Sequence, residues 1–153
     1  MAAPDEPLDE SLAAHVLGYQ LTIASLQTRQ VYHDHVGTPF QLRPVEWTLM
    51  MLLLANPGAA PKRLARTLRM PAPNLTVLVD RLAARGLVER RRSATDGRAL
   101  EVLLTAAGQQ LAEQTHRISL TMEDELLARF TPGERVMLRE LLARLARPAG
   151  AAA

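Results

Sequence analysis

The sequence predicts a mainly α-helical fold that contains one small β-sheet. Hydrophobic residues make up 48% of the chain but aromatic ones only 3%, so leucine and alanine, which favour helices, must build most of the core. Along most of the chain, apolar residues recur at spacings of three and four, as they do on one face of a helix. The alternation of apolar and polar residues that is typical of a strand is found in the middle of the chain, in residues 99–104.

The first predicted element is a long amphipathic helix from Leu8 to about His35. We expect the run Gly37-Thr38-Pro39 to end it, because glycine and proline are poor helix formers. Its apolar positions have a near-heptad spacing, which favours association with a second copy of the chain over packing within one chain. These positions are Leu8, Leu12, Val16, Tyr19, Ile23 and Leu26.

Three shorter helices are predicted to follow. The first covers residues 44–55, because a proline is tolerated in its first turn and the Asn-Pro-Gly run at 56–58 would stop it. The second covers about residues 61–69 and is basic. The third covers about residues 73–85, and Gly86 is placed to end it in the left-handed conformation.

Two strands are predicted next, over residues 87–91 and 99–104. The connection between them, residues 92–98, is strongly polar and longer than a tight hairpin turn. Three helices, a strand, a basic loop and a second strand form the order of a winged helix-turn-helix. In that fold a helix enters the major groove of DNA, while the loop, called the wing, lies against phosphates or in the minor groove.

The chain is predicted to end in two more helices and a short tail. Thr105 is a suitable N-cap for a long fifth helix that extends to about Leu126. A capping box from Thr131 to Glu134 opens a last helix to about Ala146. The predicted divisions are an N-terminal dimerisation helix (1–37), a winged helix-turn-helix DNA-binding domain (38–104), C-terminal dimerisation helices (105–147) and a mobile tail (148–153).

Basic residues are concentrated in the middle of the chain. Between Lys62 and Arg98 there are 10 basic and 3 acidic residues, a net charge of +7, whereas the rest of the chain carries −5. A basic segment within an acidic remainder indicates a site for a polyanion, and the alternative is an ordinary solvated, arginine-rich surface. Double-stranded DNA fits both this charge distribution and the predicted order of elements.

The predicted wing contains a distinctive pattern of residues. An Asp, one residue and an Arg precede a strand that ends in Leu-Thr, and a Gly follows three residues after the Thr. These residues are Asp96, Arg98, Leu104, Thr105 and Gly108. The pattern resembles that of the MarR family of transcriptional regulators. The resemblance covers roughly residues 10–146. It implies a homodimer that binds a pseudo-palindromic operator, most often as a repressor released by a small aromatic or phenolic effector.

The resemblance places candidate DNA contacts in the fourth helix and the wing. It implies that Arg98 enters the minor groove, with Asp96 as its structural partner, because phosphates repel a carboxylate. Asn74 either reads an adenine or caps its helix. Val77 stands where the family often has a basic residue, and Arg81 could compensate for it. The other candidates are Thr76 beside Asn74, and Arg90, Arg91 and Arg92, which could bind phosphates although at least one is expected to be merely solvated.

The resemblance also implies an effector pocket between the first, second and fifth helices. Trp47 and Met51 lie one turn apart on the second helix, and methionine favours contact with aromatic groups. Each of the two could instead be an ordinary core residue. An aromatic acid or a related thioester would need polar partners as well. The nearest candidates are His15, Tyr19, Arg29 and His116.

Other classes of function are less well supported by the sequence. There is no cysteine, and the 4 histidines lack a metal-ligand spacing. The motifs of serine hydrolases, phosphate-binding loops and zinc proteases are missing, so we expect neither an enzyme nor a cofactor. No signal peptide or membrane-spanning run is evident, which predicts a cytoplasmic protein. The alternatives that stay open are a DNA-binding protein with no effector and a metal-responsive regulator.

Overall fold

The computed structural model describes residues 8–92 and 99–147. The chain forms two compact units. The first contains Met1–Val31 and Met122–Ala153, and the second contains Tyr32–Thr121. Among the described residues, no helix is both long enough and apolar enough to cross a membrane.

The N-terminal helix is interrupted, so the prediction of one continuous helix is wrong. A short helix, α1 (Ser11–Ala14), is separated by two residues from α2 (Leu17–Tyr32). Gly18 lowers the helix propensity in the first turn of α2. The side chain of Gln20 donates to the carbonyl oxygen of Ala14 at 2.8 Å, which satisfies an acceptor that the interruption exposes.

The backbone stays helical beyond the point where the sequence predicts a stop. His33–Gly37 form one π-helical turn, and Thr38–Phe40 form the short helix α3. Pro39 lies in the first turn of α3, a position where proline is common. The helical segment ends instead at Gln41, which has a φ of 52°.

The three helices α4 (Pro44–Ala55), α5 (Pro61–Thr67) and α6 (Ala72–Ala84) lie at the centre of the second unit. Their bounds agree with the sequence prediction to within two residues. Gly86 has a φ of 69°, as predicted for a left-handed cap. The most deeply buried apolar side chains of these helices are Leu49, Met50, Leu53, Val79 and Leu82.

The β-sheet has the two strands that the sequence predicts. Strand β1 (Val88–Arg92) pairs antiparallel with β2 (Leu100–Leu104). Val102 of β2 is fully buried, and its N–H donates to the carbonyl oxygen of Ala59 at 3.1 Å. This bond ties the sheet to the segment before α5. The wing connection, residues 93–98, lies outside the described residues.

Helix α7 (Ala106–Ser119) begins at the predicted cap but is shorter than predicted. The Oγ1 atom of Thr105 accepts a hydrogen bond from the N–H of Gly108 at 3.0 Å and donates to the carbonyl oxygen of Gly86 at 2.6 Å. The helix ends at Ser119, whose hydroxyl donates back to the carbonyl oxygen of His116 at 2.7 Å and competes with the helical backbone pattern.

Helices α8 (Asp124–Leu127) and α9 (Pro132–Leu145) belong to the first unit. The predicted capping box is present, since Glu134 accepts from the N–H of Thr131 at 2.8 Å and Thr131 accepts from the N–H of Glu134 at 3.3 Å. Neither α2 nor α9, both described throughout, contains a buried side chain. Their apolar residues that are more than half exposed are Leu17, Leu26, Val136, Met137, Leu141 and Leu145.

Candidate nucleic-acid interface

Helix α6 has one buried face and one exposed face. The buried face packs within the second unit, where α6 contacts α5 and β1. Its buried residues are Leu75, Leu78, Val79 and Leu82. Two helices joined by a short turn in this way form a helix-turn-helix, in which the second helix is the one that enters a DNA groove.

Asn74 lies on the exposed part of α6 near its N-terminus. The helix begins after Pro71, which is the N-cap residue, and no side chain caps it. Asn74 is therefore not the N-cap residue of this helix. Its side chain is exposed to solvent. The neighbouring Thr76 is exposed as well, and its hydroxyl donates to the carbonyl oxygen of Ala72 at 3.1 Å.

Arg81 is turned toward a buried carboxylate. Its Nη1 atom lies 3.4 Å from Oε1 of Glu46 on α4, and 40% of the Arg81 side chain is exposed. Arg85 reaches the same carboxylate with its Nη1 atom 3.9 Å from Oε2. The side chain of Glu46 is only 2% exposed. The structure thus gives Arg81 an intramolecular partner that the sequence did not suggest.

The first strand is bound to α6 through Arg90. The guanidinium group of Arg90 forms an ion pair with Asp80 and donates to the carbonyl oxygen of Thr76 at 3.2 Å. The next residue, Arg91, is more exposed, and its Nη2 atom lies 3.9 Å from Oε2 of Glu101 on the paired strand. Of these two predicted phosphate ligands, Arg90 therefore has the more extensive contacts within the chain.

Two of the predicted wing residues, Asp96 and Arg98, lie outside the described residues. Arg92, at the end of β1, is described and exposed. Further basic side chains are exposed on α5, the first helix of the helix-turn-helix. They are Lys62, Arg63 and Arg66. The charge concentrated in this part of the sequence therefore lies on the surface of the second unit.

Three of the predicted effector-pocket residues line one cavity. Trp47 and Met51 of α4 and His116 of α7 border a cavity of about 500 Å³, which Leu54, Ala55 and Ser119 complete. The indole N–H of Trp47 is buried, and no hydrogen-bond acceptor for it is found among the described residues. The other three candidates belong to the first unit. They are His15, Tyr19 and Arg29.

An aromatic pair, Tyr32 and Trp47, lies within the second unit. The rings of Tyr32 and Trp47 meet edge to face with their centroids 6.0 Å apart. The Tyr32 hydroxyl donates to the carbonyl oxygen of Leu42 at 3.0 Å. Burial and the nearby negative charge of Glu46 raise the pKa of Tyr32 to about 12, so the hydroxyl stays neutral at physiological pH.

Comparison with known proteins identifies the family. A family model described as the MarR family matches residues 40–99. The solved structure of a transcriptional repressor, CouR, bound to a 23-mer DNA duplex is 31% identical in sequence, with a TM-score of 0.84 over 93% of this chain and 100% of that chain. The chain belongs to the MarR family. It therefore has the winged helix-turn-helix fold and is a DNA-binding transcriptional regulator.

Two further structures share the fold. A chain described as a probable transcriptional regulator from Pseudomonas aeruginosa is 29% identical, with a TM-score of 0.77, and the match covers 86% of this chain and 98% of that one. The PcaV transcriptional regulator from Streptomyces coelicolor, solved in complex with its natural ligand, is 21% identical, with a TM-score of 0.77 and coverage of 95% and 97%. The PcaV likeness establishes the shared fold alone.

Sequence reasoning missed Glu46 and Arg85, which link α4 to the C-terminal part of α6 in this MarR-family chain. Glu46 is the third residue of α4, and its carboxylate accepts from the N–H of Arg43 at 2.8 Å. A Pro at the first helical position followed by a Glu at the third is a capping signal that could have located it. Its burial and its pairing with Arg85, 39 positions later by residue number, depend on tertiary packing.

Proposed function

We propose that a homodimer of this protein binds a pseudo-palindromic DNA operator and represses transcription until a small aromatic acid releases it. The observation that carries the DNA-binding part is the arrangement on the second unit. The exposed flank of α6, with Asn74 and Thr76, is followed directly by a strand with three consecutive arginines that leads into the wing. We assign base reading to Asn74, phosphate binding to Arg91 and Arg92, and minor-groove binding to Arg98.

The exposed apolar surface of the first unit supports the homodimer. Helices α2 and α9 bury no side chain within the protomer, yet both carry exposed leucines and other large apolar residues. An apolar surface of this kind marks a protein interface. A twofold axis in the dimer would present two copies of α6 to two successive turns of DNA, so the operator would have matching symmetry.

Repression is proposed from the kinship with CouR, which is a repressor solved on DNA. The effector is proposed from the cavity beside Trp47. A wall of Trp47, Met51 and Leu54 suits an aromatic ring. A polar group of the ligand could bind His116 and the indole N–H of Trp47, which has no acceptor among the described residues. Arg29, His15 and Tyr19 remain further candidates for this role.

Selection of bound duplexes from a random DNA pool tests the DNA-binding proposal. We expect a symmetric motif with half-site centres about 10 base pairs apart, which is one turn of DNA. An enriched motif with no symmetry would contradict the dimeric operator. Retention of all duplexes with equal affinity would contradict sequence-specific binding itself.

Fluorescence of the single tryptophan tests the effector proposal. A panel of aromatic acids is titrated into the protein, and DNA release is measured in parallel with the selected duplex. We expect at least one acid to quench Trp47 and to release DNA over the same concentration range. If quenching and release never coincide, the pocket assignment is wrong, and the alternative of a regulator without an effector is favoured.

A metal-responsive function has no specific support. No group of three His, Asp or Glu side chains suited to a metal ion occurs among residues 8–92 and 99–147.

A further inference from the structure

The carboxylate of Glu46 is the most deeply buried charged group in the described part of the chain. It lies in the first turn of α4, where Oε2 accepts from the N–H of Arg43 at 2.8 Å. The same carboxylate faces two arginines of the next helix pair, Arg81 at 3.4 Å and Arg85 at 3.9 Å. One buried negative charge is therefore shared by two positive charges of the DNA-reading region.

The two arginines differ in what else they bind. Arg85 also donates to the carbonyl oxygens of Gln41 at 2.8 Å and Phe40 at 3.1 Å, so it keeps partners if Glu46 is changed. For Arg81, the hydrogen bond to Glu46 is the one found among the described residues. Loss of the negative charge at Glu46 would therefore release Arg81 but leave Arg85 anchored.

The opposite flank of α6 is held independently. Arg90 of β1 pairs with Asp80 and donates to the carbonyl oxygen of Thr76. Asp80 and Arg81 are adjacent in sequence and project about 100° apart around the helix axis. Together with the packing of its buried face, contacts with α4 on one flank and with β1 on the other restrict the rotation of α6 about its own axis. That rotation decides which base edge Asn74, two turns before Arg81, can reach.

We propose that Glu46 is a positioning residue that determines operator specificity. By binding Arg81 it keeps this guanidinium away from the DNA phosphates and holds Asn74 at a fixed angle. An arginine released at this site would add a phosphate contact that does not depend on base sequence, which strengthens binding to every duplex. This inference rests on the proposed function and reverses the expectation that Arg81 contacts DNA.

The decisive variant is Glu46→Gln. Glutamine has nearly the same shape, and its side-chain oxygen can still accept from the N–H of Arg43, but it has no charge to hold Arg81. Affinity is measured for the selected operator and for a scrambled duplex over a range of salt concentrations. We expect tighter binding of the scrambled duplex, a salt slope steeper by about one, and a specificity ratio lower by about tenfold.

Two other variants make the result specific. Glu113→Gln removes the same charge from α7, where Glu113 accepts only a neutral hydrogen bond from Gln109 among the described residues, so it controls for net charge. The double variant Glu46→Gln with Arg81→Gln should restore the wild-type salt slope, because the released arginine is gone. A mere loss of packing at Glu46 would not be corrected by a second substitution.

Arg81→Gln alone tests the proposal even if Glu46→Gln fails to fold by circular dichroism. We expect its salt slope to equal that of the wild type, because Glu46 already keeps Arg81 from the phosphates. A slope lower by about one would show that Arg81 binds DNA and would overturn the inference. An unchanged specificity ratio in folded Glu46→Gln would overturn it too. If the wild type itself prefers no sequence, the proposed function has failed instead.

Discussion

Among the glycines that the structure describes, Gly108 is the one where an added methyl group should be most harmful. A Cβ atom there would lie inside the contact distance of the Leu87 carbonyl oxygen, 2.8 Å from the Leu87 carbonyl carbon and 3.2 Å from its Cα. Carbon atoms pack at about 3.5–4.0 Å, so α7 and the start of β1 would have to separate by roughly 1 Å. The neighbouring atoms are backbone and cannot turn aside.

That separation would strain three hydrogen bonds of Thr105, of which two join the cap of α7 to the residues just before β1 and the third caps α7 itself. Thr105 donates its N–H to Leu87 at 3.1 Å and its hydroxyl to Gly86 at 2.6 Å, and it accepts from Gly108 at 3.0 Å. Each of these hydrogen bonds contributes about 1 kcal/mol to stability. The better helix propensity of alanine offsets up to about 1 kcal/mol of their loss. Gly108→Ala should therefore lower the free energy of unfolding by about 2 kcal/mol. In a chain of this size, that corresponds to a fall in Tm of roughly 4–8 °C.

Thermal unfolding followed by circular dichroism, at one fixed protein concentration, measures this effect. Gly133→Ala is the matched control, because Gly133 also lies in the first turn of a helix. Apart from its chain neighbours and the backbone of its own helix, no described atom lies within 4 Å of a Cβ added there. The control should be neutral or slightly more stable. Equal Tm values for the two variants would refute the argument that close approach of α7 and β1 requires glycine.

The remaining predictions concern DNA binding, assembly and pH. Arg98→Ala should reduce the salt slope of operator binding by about one while the protein stays folded; an unchanged slope removes the wing from the interface. Asn74→Ala should cost about 1–3 kcal/mol at one base position in each half-site, and an equal loss for all sequences would instead indicate a phosphate contact. Ile23→Asp should dissociate the dimer in sedimentation experiments, because it would bury an unpaired charge; intact dimers would mean that α2 lies outside the interface. The raised pKa of Tyr32 means that its stabilising effect is complete below about pH 10 and is lost as the pH rises to about 12. Tyr32→Phe should therefore reduce the alkaline loss of stability in urea unfolding, and an identical loss in both proteins would contradict this assignment.

The central helices and the wing strands could be predicted from the sequence because their signals are local. Pro44 and the Asn-Pro-Gly run at 56–58 set the bounds of α4, and Gly86 adopts the left-handed conformation that ends α6. The prediction of one continuous N-terminal helix was wrong because no local signal marks the interruption. Its heptad-like apolar pattern continues across the interruption at residues 15–16, so periodicity alone does not detect it.

The residues of the candidate site could be predicted from the sequence, but the ion pairs between them could not. The arginines of β1 and the exposed Asn74 follow from the order of elements and the turn signals. The pairing of Arg90 with Asp80, and of Arg81 with Glu46, depends on which helix flank faces which neighbour. Sequence periodicity shows which face is buried but does not identify the polar partners at its edges.

The exposed leucines of α2 and α9 have a consequence for how stable the protein is at different concentrations. In the proposed dimer, these helices obtain their apolar contacts from the second copy, so folding of the first unit and association are one equilibrium. The Tm should then rise with protein concentration, as mass action requires, whereas a protomer that is stable by itself would melt at a constant temperature. A regulator present at a few copies per cell would be at the low-concentration end of this dependence, where the protomers are least stable. Operator DNA would then stabilise their fold as well, because it holds two protomers together.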